Sequence, residues 1–162
     1  MKIIAIDPGS KVTGYAVITE SGTLLGAGLI KPQKQTNPAD IRIAVICTEI
    51  DTLITTEEPD VVVLEWTTGK VGKNRHKGGG SGLAIYGIAI GAIWQTIRQI
   101  MNTRDIVLID ESWTRGKPKE KRLAELELTC PAYKRKDDKG GDMGDAILLA
   151  QYYAKGLRVV GV

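Results

Sequence analysis

Lys2-Ile3-Ile4-Ala5-Ile6-Asp7-Pro8-Gly9-Ser10 joins an aliphatic run to an abrupt turn. The run reads as a buried strand, and Asp-Pro-Gly-Ser is a turn signature. Working outward, Thr13–Thr19 and Thr23–Ile30 read as two further strands with a hairpin turn at Ser21-Gly22. A strand followed by a hairpin predicts an antiparallel opening to a mixed sheet. Asn37-Pro38-Ala39-Asp40 then reads as a helix start, with Asn as cap, Pro in the first position and Asp in the first turn. Ile43, Ile46, Ile50, Leu53 and Ile54 recur at helical period up to Glu58-Pro59.

The second half continues the alternation. Val61-Val62-Val63-Leu64 is a β-branched run that reads as a central strand ending at Glu65. Trp66–Gly82 is a polar, basic, glycine-rich loop, and Leu83–Met101 is helical and apolar nearly all round in its first three turns. Gly87 and Gly91 are four apart on it, a spacing that lets another helix approach, either as a buried helix or as a dimer seam. Ile106–Ile109 is a buried strand ending at Asp110-Glu111. Lys117–Leu128 is an amphipathic basic helix, Asp137–Gly141 a turn cluster and Asp142–Lys155 a last helix. The order β-β-β-α-β-α-β-α-α predicts one α/β domain over residues 1–162, a mixed five-stranded sheet flanked by helices.

Composition narrows the class. The 162 residues are 43% hydrophobic and 25% charged, ordinary globular values that argue against disorder. With three Trp, five Tyr and no Phe, the core must be aliphatic. Cys47 and Cys130 make neither a disulfide framework nor a zinc site and read as buried thiols. Met1–Ile6 runs straight into Asp7-Pro8-Gly9 without a signal-peptide apolar region, and the mostly apolar run Leu83–Trp94 is too short to span a bilayer. The expectation is a protein of a reducing compartment.

The net charge of +3 is small, but it is unevenly spread. Residues 66–82 carry Lys70, Lys73, Arg75 and Lys77 and no acid, while residues 112–141 carry nine basic and five acidic residues. Each stretch holds +4, which leaves −5 on the rest of the chain. Two basic stretches of this kind are either solvated loops or contacts for a polyanion.

Four carboxylates stand at element boundaries. Asp7 closes the first strand and Glu65 the fourth, while Asp142 and Asp145 lie i, i+3 on one face of the last helix. In open α/β sheets, sites form at strand ends. Oxygen-only ligands suit a hard cation such as Mg²⁺, and carboxylates brought together repel unless cations lie between them. Each acid also has a plain structural reading: Asp7 as a turn initiator, Glu65 as a solvated strand end, Asp142 and Asp145 as a helix start. Asp110 is a rival strand-end carboxylate. The Lys77–Gly82 stretch lacks the order of a P-loop, and His76, among Lys and Arg, reads as a phosphate contact or a spectator.

Ile6-Asp7-Pro8-Gly9-Ser10-Lys11-Val12-Thr13-Gly14-Tyr15 closely resembles the opening of the RuvC family of Holliday junction resolvases. Glu65 after Val61–Leu64 is similar to that family's second acidic motif, and Asp142-Met143-Gly144-Asp145-Ala146 to its C-terminal D-x-x-D-A motif. The resemblance implies an RNase H-like fold, a homodimer, and Mg²⁺-dependent cleavage of branched DNA, with Mn²⁺ able to substitute. It implies that Asp7, Glu65, Asp142 and Asp145 are catalytic ligands to two ions, with Asp7 bridging them. It also implies that helix 83–101 is the dimer seam and that the protein works in the cytoplasm of a bacterial or phage-infected cell. Lys70, Lys73, Arg75, Lys77, Lys117, Lys119, Lys121 and Arg122 would contact DNA. Trp66 stands near where family members carry an aromatic junction wedge. Two other readings share the residues: a YqgF-type relative acting on RNA, and a junction-binding module that does not cut.

Overall fold

The computed structural model describes residues 1–33, 37–67, 79–114 and 116–156. Five strands, β1 (Lys2–Asp7), β2 (Thr13–Thr19), β3 (Leu24–Ile30), β4 (Val61–Trp66) and β5 (Ile106–Asp110), form one sheet in the order β3-β2-β1-β4-β5. The β1-β2-β3 meander is antiparallel, while β4 and β5 run parallel to β1, so the sheet is mixed as the sequence predicts. Among the described residues, four α-helices flank the sheet: α1 (Ala39–Glu57), α2 (Gly79–Ile100), α3 (Lys119–Thr129) and α4 (Asp142–Ala154).

The aliphatic strands separate two cores. Ile4, Ile6, Val62, Leu64 and Leu108 pack with Ile46, Ile50 and Ile54 of α1 and with Ile93 and Ile97 of α2. Ile3, Ala5, Val63 and Ile109 pack with Ile147, Leu149 and Ala150 of α4, over which Leu123 and Leu126 of α3 close. Strand side chains alternate between faces, so runs such as Ile3–Ile6 serve both layers at once. That is why they show no polar alternation.

Several boundaries depart from the sequence reading. α1 is entered from Pro38 at the cap position in an extended conformation, with no side-chain cap. Asn37 instead offers its carbonyl to the Arg42 guanidinium, whose Nε–H also reaches the carbonyl of Ser10 at 3.2 Å. An arginine that joins the helix entry to the turn after β1 replaces the expected Asn cap. α1 ends with Glu58 in the left-handed region (φ 46°), its N–H on Ile54 O at 2.9 Å, and Pro59 beyond it forbids another turn. α2 begins at Gly79, four residues before the predicted start at Leu83; glycine lowers helix propensity without forbidding helix. α3 starts at Lys119, after Pro118. Cys130 is buried as expected, whereas Cys47 is half-buried at the edge of the other core.

Candidate active site

The turn after β1 is tied by Thr13. Its buried hydroxyl donates to Gly9 O at 3.1 Å and accepts from Gly9 N–H at 3.2 Å. A Cβ on Gly9 would lie 2.1 Å from Val12 O, so the tight turn needs glycine. Gly14, opposite Asp7 in the β1-β2 register, has a different reason. A Cβ there would lie 2.0 Å from the carbonyl oxygen of Asp142. The bare backbone of Gly14 lets the start of α4 descend onto the sheet beside Asp7. One short motif thus supplies an acid and the space into which a second acidic element docks.

Alternation selects which acids meet. Asp7 follows Ile3 and Ala5, and Glu65 follows Val61 and Val63, on the face covered by α4. Asp142 and Asp145 enter that space from the first turn of α4. Asp110 and Trp66 are register partners on the opposite face. The Asp110 Oδ1 accepts the Ser112 N–H at 2.7 Å, where the chain turns into a 3₁₀ helix over Glu111–Thr114. Trp66 sets its ring edge to face against Trp94 of α2, with centroids 6.1 Å apart.

The electrostatics record the crowding. Burial pushes the Asp7 carboxyl well above its ordinary range, and the charges of Glu65, Asp145 and Asp142 push it further. Glu65 is also raised, chiefly by burial, against a hydrogen bond from Trp113 that acts the other way. Two cations lie among these acids. Lys119 Nζ stands 2.9 Å from Asp145 Oδ2 and 3.5 Å from Asp142 Oδ1. Arg122 Nη2 stands 2.8 Å from Asp145 Oδ1. Burial opposes the charge on Lys119, but its bond to Asp145 and the fields of Asp145, Asp142 and Asp7 outweigh that and raise its pKa.

Among the described residues, no group of three or more His, Cys, Asp or Glu side chains is close enough to hold a metal ion by itself. The four acids act on one another through their fields without closing into a cage. Their chemistry nevertheless fits a hard divalent cation. All the donors are carboxylate oxygens, and a bound cation would relieve the repulsion that adds to burial in raising Asp7.

The predicted DNA contacts divide. Lys70, Lys73, Arg75 and Lys77, with His76, lie outside the described residues. Lys119 and Arg122 face the carboxylates. Lys117 is exposed and paired with Glu125 at 2.9 Å, and Lys121 is exposed on the same helix.

Three residues at the site escape the motifs. Trp113 donates its indole N–H to Glu65 Oε2 at 3.1 Å. Asp138, 3% exposed, accepts from Gly144 N–H at 2.8 Å, Met143 N–H at 3.3 Å and Tyr133 Oη at 3.0 Å. It thereby anchors the N-terminus of α4, and Tyr133 lies against Gly144, where a Cβ would be 2.7 Å from the phenol oxygen. Burial and the Asp138 contact push the Tyr133 phenol far above its usual range. Asp138 carried one legible signal: an acid ahead of a helix start. Trp113 carried none, because its partner lies 48 residues away in sequence.

A mixed 3-2-1-4-5 sheet flanked by helices, with acids at the ends of its first and fourth strands, defines an RNase H-like fold. Residues 3–78 match the family model described as crossover junction endodeoxyribonuclease RuvC. Crossover junction endodeoxyribonuclease RuvC of Chlorobaculum parvum is 38% identical over 77 residues, which cover 46% of this chain and 40% of that protein. Its counterpart from Pelodictyon phaeoclathratiforme is 38% identical over 68 residues, covering 40% and 35%. The chain therefore spans about two-fifths of the length of these relatives. RuvC from Thermus thermophilus in complex with Holliday junction substrate superposes with a TM-score of 0.71 at 17% identity, covering 98% of each chain. A second Thermus thermophilus RuvC structure gives 0.69 at 16% identity. The matched sequence contains Asp7 and Glu65. Asp142 and Asp145 lie beyond it, where the likeness is one of fold. Among the described residues, no helix is long and apolar enough to cross a membrane.

Proposed function

We propose that this chain is a single RNase H-like domain that resolves four-way DNA junctions by metal-dependent hydrolysis of phosphodiester bonds in the cytoplasm. The observation that carries this reading is the convergence of Asp7, Glu65, Asp142 and Asp145 at one end of one sheet face, within a RuvC-like fold.

Asp7, Glu65, Asp142 and Asp145 would hold Mg²⁺, or Mn²⁺ in its place, as two ions per site. When bound, such ions supply Lewis acidity at the phosphate and an activated water. The chain's own residues do the rest. Asp7 stands among the other three acids and is the acid that all of them perturb. Asp142 and Asp145 are presented by a helix seated against Gly14, which fixes their height above the sheet. Lys119 and Arg122 hold these two carboxylates together against their repulsion. Lys117 and Lys121, with Lys70, Lys73, Arg75 and Lys77, would bind phosphates, so junction affinity should fall steeply with salt.

A symmetric junction calls for two sites, and α2 offers the seam. Ala89, Ile90, Ile93 and Ile97 of α2 are buried, while Leu83 and Ile88 are 47% and 62% exposed. Among the described residues, nothing beyond the adjoining residues and the local helix backbone lies within 4 Å of where a Cβ on Gly87 or Gly91 would stand. This apolar, open helix face suits an isologous contact with a second copy.

The deciding experiment is cleavage of a synthetic four-way junction with Mg²⁺ by the wild type and Asp7→Asn, with linear duplex and structured RNA as controls. Paired symmetric nicks that fall at least about a thousandfold in the variant are expected. Junction binding without nicking in both Mg²⁺ and Mn²⁺ would leave a binding module, and cutting of RNA alone would move the chain to the YqgF-type reading. Light scattering of wild type and Ile88→Lys tests the seam: the wild type should be a dimer and the variant a monomer.

A further inference from the structure

The geometry points to Trp113 as the positioning residue that sets the Glu65 carboxylate for metal binding. The inference rests on Glu65 being a ligand and adds to that reading a residue outside every acidic motif. Trp113 stands in the 3₁₀ turn Glu111–Thr114, just after β5. Its Nε1–H donates to Glu65 Oε2 at 3.1 Å.

The carboxylates at this site are restrained by different kinds of donor. Asp142 and Asp145 are held by cations, Lys119 and Arg122. Glu65 receives a neutral N–H. An indole can only donate, so it fixes one carboxylate oxygen without a charge that would compete with a metal ion. The other oxygen is then left to a cation. Donors of this kind commonly set the orientation of metal ligands.

The indole is itself held from two sides. The Tyr152 ring of α4 lies 5.9 Å from it at 50°. The Arg122 guanidinium of α3 lies over it at 5.5 Å, within cation–π range. That same guanidinium bonds Asp145 at 2.8 Å. One aromatic ring therefore joins the Glu65 of β4 to the arginine that holds the Asp145 of α4.

The test uses the whole metal-free chain and Mn²⁺ as the probe, titrated by calorimetry, beside the Mg²⁺ dependence of junction cleavage. Trp113→Phe keeps a ring between Arg122 and Tyr152 and deletes the donor. It should weaken Mn²⁺ binding about tenfold and raise the Mg²⁺ needed for half-maximal cleavage by a similar factor. Cleavage at saturating Mg²⁺ and junction affinity in EDTA should change less than about threefold, on the view that the ring chiefly orients a ligand. Unchanged Mn²⁺ binding and Mg²⁺ half-saturation in this variant would overturn the inference. If Phe unfolds the chain, benzothienylalanine at position 113, isosteric but without the N–H, gives the same comparison. Glu65→Gln separates the two levels. Wild-type Mn²⁺ binding there would remove Glu65 as a ligand, and the role of Trp113 with it. Loss of binding in Glu65→Gln but not in Trp113→Phe would overturn the Trp113 role alone.

Discussion

Along β4, Val61, Val63 and Glu65 look toward α4, whereas Val62, Leu64 and Trp66 look toward α1 and α2. The two series are equally apolar until their last members. Then one face ends in a carboxylate among other carboxylates, and the other in an indole against Trp94. The same holds at β5, where Asp110 falls on the Trp66 side despite its strand-end position. A strand-end acid joins this site only when strand parity places it under α4. A one-residue shift of register would exchange the two faces.

Two glycines test the contrast most sharply. Gly14 faces the backbone of α4, which cannot move aside, and Gly28 faces the ring of Tyr15 on the other side of the sheet, which can. Gly14→Ala should cost about 3 kcal/mol, the upper part of the overpacking range. Because it displaces Asp142, cleavage should fall at least about a hundredfold. Gly28→Ala should cost no more than about 1 kcal/mol and leave cleavage nearly unchanged, the ring absorbing the strain. Denaturant unfolding and junction cleavage read both, and equal losses in the two variants would contradict the assignment of faces.

Asp138 is the next probe of the acidic face. Asp138→Ala strands two backbone N–H groups at the start of α4 and the Tyr133 hydroxyl, and should cost about 2 kcal/mol. Asp138→Asn keeps one acceptor and should recover part of this. Thermal melts would rank the three proteins, with Ala lowest.

Smaller, and opposite in sign, is the effect of the Asp7 charge on stability. Its carboxyl is raised from an ordinary 3.8, so the folded chain keeps a proton where the unfolded chain has lost it. Stability from this group is then lost as pH rises from the ordinary carboxylate range through the raised value. Glu65 acts in the same direction. Metal-free Asp7→Asn should therefore be more stable than wild type at pH 8, by about 1 kcal/mol, the scale of a single stabilising substitution at a functional site. The gap should close toward pH 4. A variant less stable than wild type at pH 8 would show that burial and the neighbouring acids do not disfavour the Asp7 charge.

On the other face, a comparable change in stability should come with little change in cleavage. Trp66→Phe should lose about 1 kcal/mol from its contact with Trp94 and leave junction cleavage within about twofold. A large loss of cleavage on junctions, with stability retained, would instead place Trp66 in the junction.

Much of this architecture was legible in the chain because it rests on local physics. Aliphatic runs, a Ser-Gly hairpin turn and helical periodicity gave five strands and four helices in the right order, with boundaries wrong by a few residues where proline and glycine act. Asp7, Glu65, Asp142 and Asp145 stood out because each closes or opens an element. Strand parity was also written in the sequence, but which face α4 would cover was not. That choice separates Glu65 from Asp110, two acids alike in one dimension. Lys119 and Arg122 read as DNA contacts on a basic amphipathic helix, yet only the packing of α3 over α4 turns Lys119 onto Asp142 and Asp145 and Arg122 onto Asp145. Trp113 meets Glu65 across 48 residues, and Gly14 is needed because a carbonyl 128 positions later passes over it. Sequence by itself determined the elements and the inventory of acids, since turns, caps and periodicity depend on near neighbours. Tertiary structure alone decided which charges face one another, because the fields and close contacts of a site depend on distances in space that the chain sets only once its layers have packed.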